Sequence, residues 1–183
     1  MPYNVYPTAL AGVLILEPRV FVDDRGFFYE SFSQRDFEAA TGLATTFVQD
    51  NHSHSKKGVL RGLHYQVDHV QGKLVRVTQG RVFDVAVNLK RDHPQFGKWA
   101  GVYLDSAHKQ ELWIPPGFAH GFLVLSDTAD FLYKTTEYYS SQHERCIRWD
   151  DQTLAIDWPI ERPPLLTAKD ANAASFVTAE VFS

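Results

Sequence analysis

The chain is poor in cysteine, in positive charge and in long apolar runs. Cys146 is the only cysteine among 183 residues, so an intramolecular disulfide cannot form and a four-thiolate zinc site is excluded. Lysine and arginine total 18 against 22 aspartates and glutamates, a formal charge of -4. That balance lacks the concentrated basic surface that a phosphate backbone requires. It argues against nucleic-acid binding while leaving room for a local basic pocket. No stretch approaches the roughly 20 apolar residues of a transmembrane helix. The opening MPYNVYPTAL has no basic flank before an apolar core, so no membrane association and no secretory signal are expected, and the expected compartment is the cytoplasm. A glycine-rich phosphate loop, a dinucleotide fingerprint, a His-Glu-x-x-His pair and a nucleophile elbow are all missing. There is no low-complexity segment, repeat or linker, so 1–183 reads as one domain, large enough for its own core.

What is abundant is aromatic: 13 Phe, 8 Tyr and 4 Trp, packing units suited to a sheet-rich core. Short extended runs follow one another at Leu60–Gln66, Lys73–Thr78, Arg81–Leu89, Val102–Leu104, Glu111–Ile114, Gly121–Leu125 and Phe131–Tyr139. Turn-sized gaps separate them. Eight or more short strands without helices of 10–15 residues between them predict a sandwich or closed barrel, not a doubly wound fold. Upstream, Val13–Val22 and Phe27–Phe32 flank the turn Asp23-Asp24-Arg25-Gly26 and read as a hairpin. One early helix is expected, with Ser33 as N-cap, Asp36 in its first turn, Phe37 and Ala40 on its apolar side and Gly42 as its stop. A short helix is expected within Thr167–Ala174, after the prolines 159, 163 and 164.

Four polar islands interrupt the apolar pattern. The first carries His64 inside a strand, with Arg61 three residues before it and Lys73 opening the next strand. A lone histidine in a strand is more often a packing residue than a catalyst; the two nearby cations are what raise the functional reading. Strict alternation sends 61 and 64 to opposite faces. A bulge at Gly62 would bring them together, and glycine tolerates one. The second island is Pro115-Pro116-Gly117-Phe118-Ala119-His120-Gly121, where His120 fits a core hydrogen bond or a pocket equally well. In the third, Tyr133 shares a side with Phe131, and its hydroxyl could donate a proton or close a core hydrogen bond. The fourth, Thr167-Ala168-Lys169-Asp170, offers an aspartate that could orient a histidine or cap a turn.

Together these islands resemble the dTDP-4-dehydrorhamnose 3,5-epimerases. The resemblance runs from Gly12 to about Asp170, through EPRVF at 17–21, DRGFFYE at 24–30, FVQDN at 47–51, LRGLH at 60–64, QGK at 71–73, 113–122 and FLYK at 131–134. It implies an all-β, cupin-type jelly-roll barrel with a few short peripheral helices. It also implies a homodimer whose N-terminal strands reach the partner's pocket, and a site that needs no cofactor. Other cupins bind metal through an H-x-H pair and a later P-x-G-x-x-H motif. Here the second survives at 115–120, but the first has become His64-Tyr65-Gln66, and the glutamate of the usual ligand set is not apparent. No metal is expected.

By the same resemblance His64 is the catalytic base, Asp170 its acidic partner, Tyr133 the proton donor on the opposite face and Lys73 the cation at the sugar carbonyl. His120 is a pocket histidine, and Arg25 and Arg61 meet the diphosphate or sugar. Phe21, Phe28, Glu30, Gln49, Asn51 and Tyr139 lie in or around the nucleotide pocket. The implied substrate is dTDP-4-keto-6-deoxyglucose, and the implied role is in deoxysugar supply for surface polysaccharide. Three alternatives stay open: a mono-epimerase acting at C3 or C5 only, a cupin-class 3,4-ketoisomerase, and a sugar-nucleotide-binding protein without turnover.

Overall fold

The computed structural model describes residues 3–183. Thirteen strands occur among them: β1 Asn4–Pro7, β2 Leu14–Glu17, β3 Val20–Asp23, β4 Gly26–Tyr29, β5 Gln49–Lys56, β6 Leu60–Gln66, β7 Lys73–Gln79, β8 Arg81–Asn88, β9 Trp99–Asp105, β10 Glu111–Ile114, β11 Phe118–Val124, β12 Thr128–Thr135 and β13 Glu144–Cys146. Two helices, α1 Gln34–Thr41 and α2 Ala168–Ala171, and a short 3-10 turn at Phe176–Thr178 lie at the periphery.

The strands form a six-stranded sheet of order β1-β2-β10-β7-β12-β5 and a five-stranded sheet of order β13-β6-β11-β8-β9. The named strands pair antiparallel throughout. This is the all-β jelly-roll architecture expected from the sequence. The faces that meet are apolar. Val75, Val77, Leu112, Ile114 and Phe131 of one sheet pack on Val82, Ala86, Phe118, Phe122 and Val124 of the other. The five-stranded sheet is covered on its far side too: Leu63, Phe83, Val85, Val87 and Leu123 pack under Ile147, Leu154 and Trp158 from the C-terminal segment. A sheet covered on both faces carries nearly continuous apolar strands, and Val82–Asn88 is buried at every position.

α1 forms as expected. Ser33 Oγ accepts from the Asp36 amide, Gly42 adopts φ 71°, and Phe37 is the buried anchor. The anchor meets Phe47 and Trp113 edge-on, with ring centroids 5.3 and 5.5 Å away. β3 and β4 form a two-stranded sheet of their own. The sequence pattern missed β1, β5 and β13. It also extended the strand at 131–139 too far, since β12 ends at Thr135. Among the described residues, no helix is long and apolar enough to cross a membrane.

Candidate active site

The polar islands converge on a cavity of about 260 Å³. β6 contributes Arg61 and His64, β7 Lys73, β11 His120 and β12 Tyr133. Thr167, Lys169 and Asp170 close it from the C-terminal segment.

The parity conflict between Arg61 and His64 is resolved by a bulge. In the pairing of β6 with β11, His120 lies opposite His64 and Phe122 opposite Arg61, so three steps on β6 match two on β11. Gly62, at φ 126°, absorbs the extra residue. A Cβ there would sit 2.5 Å from Gly121 Cα and 2.7 Å from the His120 carbonyl oxygen, so only glycine fits. Both side chains therefore line the same cavity.

His64 Nε2 and Asp170 Oδ1 are 2.6 Å apart, and Asp170 is only 2% exposed. Burial pushes the Asp170 carboxyl up, but the hydrogen bond and charge of His64, with the Thr167 cap, outweigh it and hold the group below the usual range. A carboxylate held in this way keeps the hydrogen on Nε2 and leaves Nδ1 as the nitrogen that can accept a proton. α2 positions Asp170: Thr167 Oγ1 accepts from the Asp170 amide and fixes the turn.

A second histidine–aspartate pair lies deeper. His120 Nε2 is 2.9 Å from Asp84 Oδ2, and Asp84, on β8, has no exposed surface. Lys73 is 7% exposed and donates to the His64 carbonyl at 3.4 Å. Burial lowers its ammonium to about 8, opposed by the negative charges of Glu144 and Asp84. Tyr133 lies tilted against Phe131 at a ring-centroid distance of 6.2 Å. Burial, reinforced by Glu144 and opposed by Arg61, raises its hydroxyl above the ordinary value. Arg61 Nε donates to Ser55 Oγ at 3.1 Å.

Tyr139 also lines the cavity, its hydroxyl donating to Glu144 Oε2 at 2.7 Å. Lys169 Nζ reaches the same oxygen at 2.5 Å. Burial works against ionisation of Glu144, but these two hydrogen bonds win and hold it low. Neither Glu144 nor Asp84 was found from the sequence. Asp84 interrupts the apolar run between Val82 and Val87, and that carboxylate inside it was the available signal. Glu144 lies in a polar stretch that offers none.

The remaining nucleotide-pocket candidates lie apart from this cavity. Phe21, Arg25 and Phe28 are on the β3–β4 hairpin and Glu30 follows it. Arg25 pairs with Asp23 beside it, at 2.5 Å. Phe21 is 40% and Phe28 66% exposed. Gln49 and Asn51 lie on the edge strand β5, with Gln49 Nε2 donating to Asn51 Oδ1 at 3.0 Å. Asn51 lines a neighbouring hollow that shares Tyr133 with the main cavity.

Comparison with known proteins places this geometry. The model of a family described as dTDP-4-dehydrorhamnose 3,5-epimerase matches residues 7–178. A dTDP-4-dehydrorhamnose 3,5-epimerase of Pseudomonas aeruginosa is 58% identical over 174 residues, covering 95% of this chain and 96% of its own. One from Shigella flexneri is 57% identical over 180 residues, covering 98% and 99%. Among solved structures, a dTDP-6-deoxy-D-glucose-3,5-epimerase of Legionella pneumophila, in complex with dTDP-4-keto-L-rhamnose, superposes with a TM-score of 0.95. It is 49% identical and the match covers 97% of this chain and 95% of that one.

Proposed function

This chain belongs to the dTDP-4-dehydrorhamnose 3,5-epimerase family and is an epimerase of that specificity; from this premise we propose how its residues invert C3 and C5 of dTDP-4-keto-6-deoxyglucose. The C4 ketone acidifies the hydrogens on both neighbouring carbons, since loss of either proton gives an enolate with its charge on the C4 oxygen. One base and one donor, on opposite faces of the ring, then serve both centres.

His64 takes the proton through Nδ1. Asp170 fixes the tautomer and stabilises the imidazolium that forms, and the 2.6 Å contact between them is the single observation that carries this reading. Tyr133, on the facing sheet, returns a proton to the other face. Lys73 faces the C4 oxygen as its charge develops; a positioned donor of this kind contributes about 2.7–4 kcal/mol to transition-state stabilisation. His120, held by Asp84, is a further polar contact for the sugar. Arg61 meets the diphosphate or sugar. The protein's own groups complete the proton inventory, so no cofactor or metal takes part and a chelator leaves turnover unchanged.

The site is completed by a second copy of the chain. Support comes from the hairpin: Val22 is 79%, Phe28 66% and Phe27 59% exposed, an apolar ribbon with an arginine at its tip and no sheet beside it. In a homodimer, Phe21, Arg25 and Phe28 of one protomer would border the partner's nucleotide pocket with Gln49, Asn51 and Tyr139, and Glu30 would stand at its margin. The diphosphate then meets arginines from both chains. The enzyme works in the cytoplasm on a soluble sugar nucleotide.

The test is turnover in deuterated water. Deuterium at both C3 and C5 of the product, trapped by a coupled NADPH-dependent reductase, is the expected result. Label at one carbon only would make the chain a mono-epimerase. Binding of the nucleotide without any label would leave only a binding protein.

A further inference from the structure

The His64–Asp170 pair has a third neighbour that the proton transfers do not use. Cys146 ends β13, where the backbone register sets it directly opposite His64. Its Sγ lies 3.6 Å from Asp170 Oδ1, the oxygen that also meets His64 Nε2 at 2.6 Å. One nitrogen, one sulfur and one carboxylate oxygen thus lie within 4.8 Å of one another. Cys146 is a free thiol.

A tetrahedral ion with bonds of about 2.0–2.3 Å to such atoms holds its ligands roughly 3–4 Å apart. The sulfur–oxygen edge already has that length. The nitrogen–oxygen edge needs to open by less than about 1 Å, which small side-chain rotations supply. His64 and Asp170 line the cavity, from which water or a substrate oxygen can complete the shell. Asp170 is buried and fixed by the Thr167 cap, so its oxygen is in place before any ion arrives.

We propose that His64, Cys146 and Asp170 form a binding site for a thiophilic divalent cation of the zinc type, and that its occupancy switches the epimerase off. A thiolate and an imidazole select zinc or cadmium over magnesium or calcium. The proton balance explains the inhibition, and here the proposal rests on His64 being the base. The ion takes Nε2, so the neutral ring carries its hydrogen on Nδ1, the nitrogen that would have accepted the substrate proton. The Cys146 thiol loses its proton to solvent. The three groups together with the ion are then close to neutral, and the base is consumed without any change of fold.

A second group with metal-binding potential, Asp68, His69 and His143, serves as the internal control. It lies on exposed loops and has no sulfur.

The experiment titrates the purified full-length protein with cadmium, reading the ultraviolet sulfur-to-cadmium charge-transfer band and, in parallel, epimerase turnover. One equivalent should saturate the band while turnover falls, and a chelator should reverse both. In Cys146→Ala the band should vanish, and the cadmium concentration for half inhibition, relative to that variant's own metal-free rate, should rise about 100-fold or more. Cys146→Ser makes the same measurement if the alanine variant fails to fold. A wild-type protein without the band overturns the proposal. So does inhibition that both variants retain at the wild-type concentration, which would point to the sulfur-free group. A saturable band with turnover intact overturns the proposed inhibition and with it His64 as the base, whereas loss of the band leaves His64 untouched, so the two readings fail distinguishably.

Discussion

Lys73 carries a charge that its surroundings resist. Its ammonium is buried at one end of β7 and titrates near 8 instead of 10.5, because desolvation outweighs the attraction of Glu144 and Asp84. Above about pH 8 the free enzyme loses the cation we propose for the C4 oxygen. We expect kcat/KM to fall along an alkaline limb centred near 8, and Lys73→Gln to be slow and flat across that range. Stability runs the other way. Between pH 8 and 10.5 the unfolded chain binds more protons at this residue than the folded one, so this residue's contribution to stability rises with pH. Thermal melts of wild type and Lys73→Gln across that window should converge from below as the lysine neutralises. His64 and Tyr133 separate by a different measurement. His64→Ala should lower turnover by about 10²–10⁴-fold while the nucleotide diphosphate still binds. Tyr133→Phe keeps the ring against Phe131 and should lose about 1 kcal/mol of stability at most. It should still exchange substrate hydrogens with deuterated water on the His64 face while forming little inverted product. An unchanged ratio of deuterium in recovered substrate to product formed would remove Tyr133 from the donor role.

At the scale of elements, the β6 bulge decides what the site contains. Gly62 carries φ 126° and has backbone atoms where a Cβ would go, whereas Gly42, at φ 71°, has nothing within 4 Å of its own Cβ position. The pair separates two costs. Gly42→Ala should lose only the left-handed backbone penalty of about 1–2 kcal/mol. Gly62→Ala should lose clearly more in a denaturant titration, and should lower substrate affinity as Arg61 swings out of the cavity. Equal losses would mean that β6 and β11 can part without disturbing the site. The bulge was legible from the sequence only as a need: a glycine between two polar residues of the wrong parity. β5 was not legible at all. Its sequence QDNHSHSK has no apolar alternation, because it is an edge strand whose inward residues, Gln49, Asn51 and Ser53, are polar and only half-buried.

The whole molecule raises the question of where one site ends. The cavity residues come from one chain, but Phe21, Arg25 and Phe28 lie on a ribbon that its own barrel does not cover. If the ribbon completes the partner's site, two crippled chains can repair each other. Arg25→Ala spoils the hairpin and leaves the cavity whole; His64→Ala does the reverse. Co-expressed at equal levels, they should form mixed dimers holding one intact site, and recover about a quarter of wild-type turnover by random pairing in a closed two-fold dimer. Activity no greater than the sum of the two separate variants would show that each chain works alone.

The sequence by itself determined the β class, the capped helix at 34–41, the hairpin turn at 23–26, and the polar islands that interrupt the apolar strands, because each depends on local spacing; the roles of those islands came from the family resemblance. The tertiary structure decided which of those residues share a cavity. Arg61 shares a cavity with His64 only through a bulge, and His120 is oriented by a buried Asp84 from the next strand. Asp170 reaches His64 across 106 residues of chain. Such contacts arise when two sheets close on each other, and no periodicity along one strand encodes the distance between them.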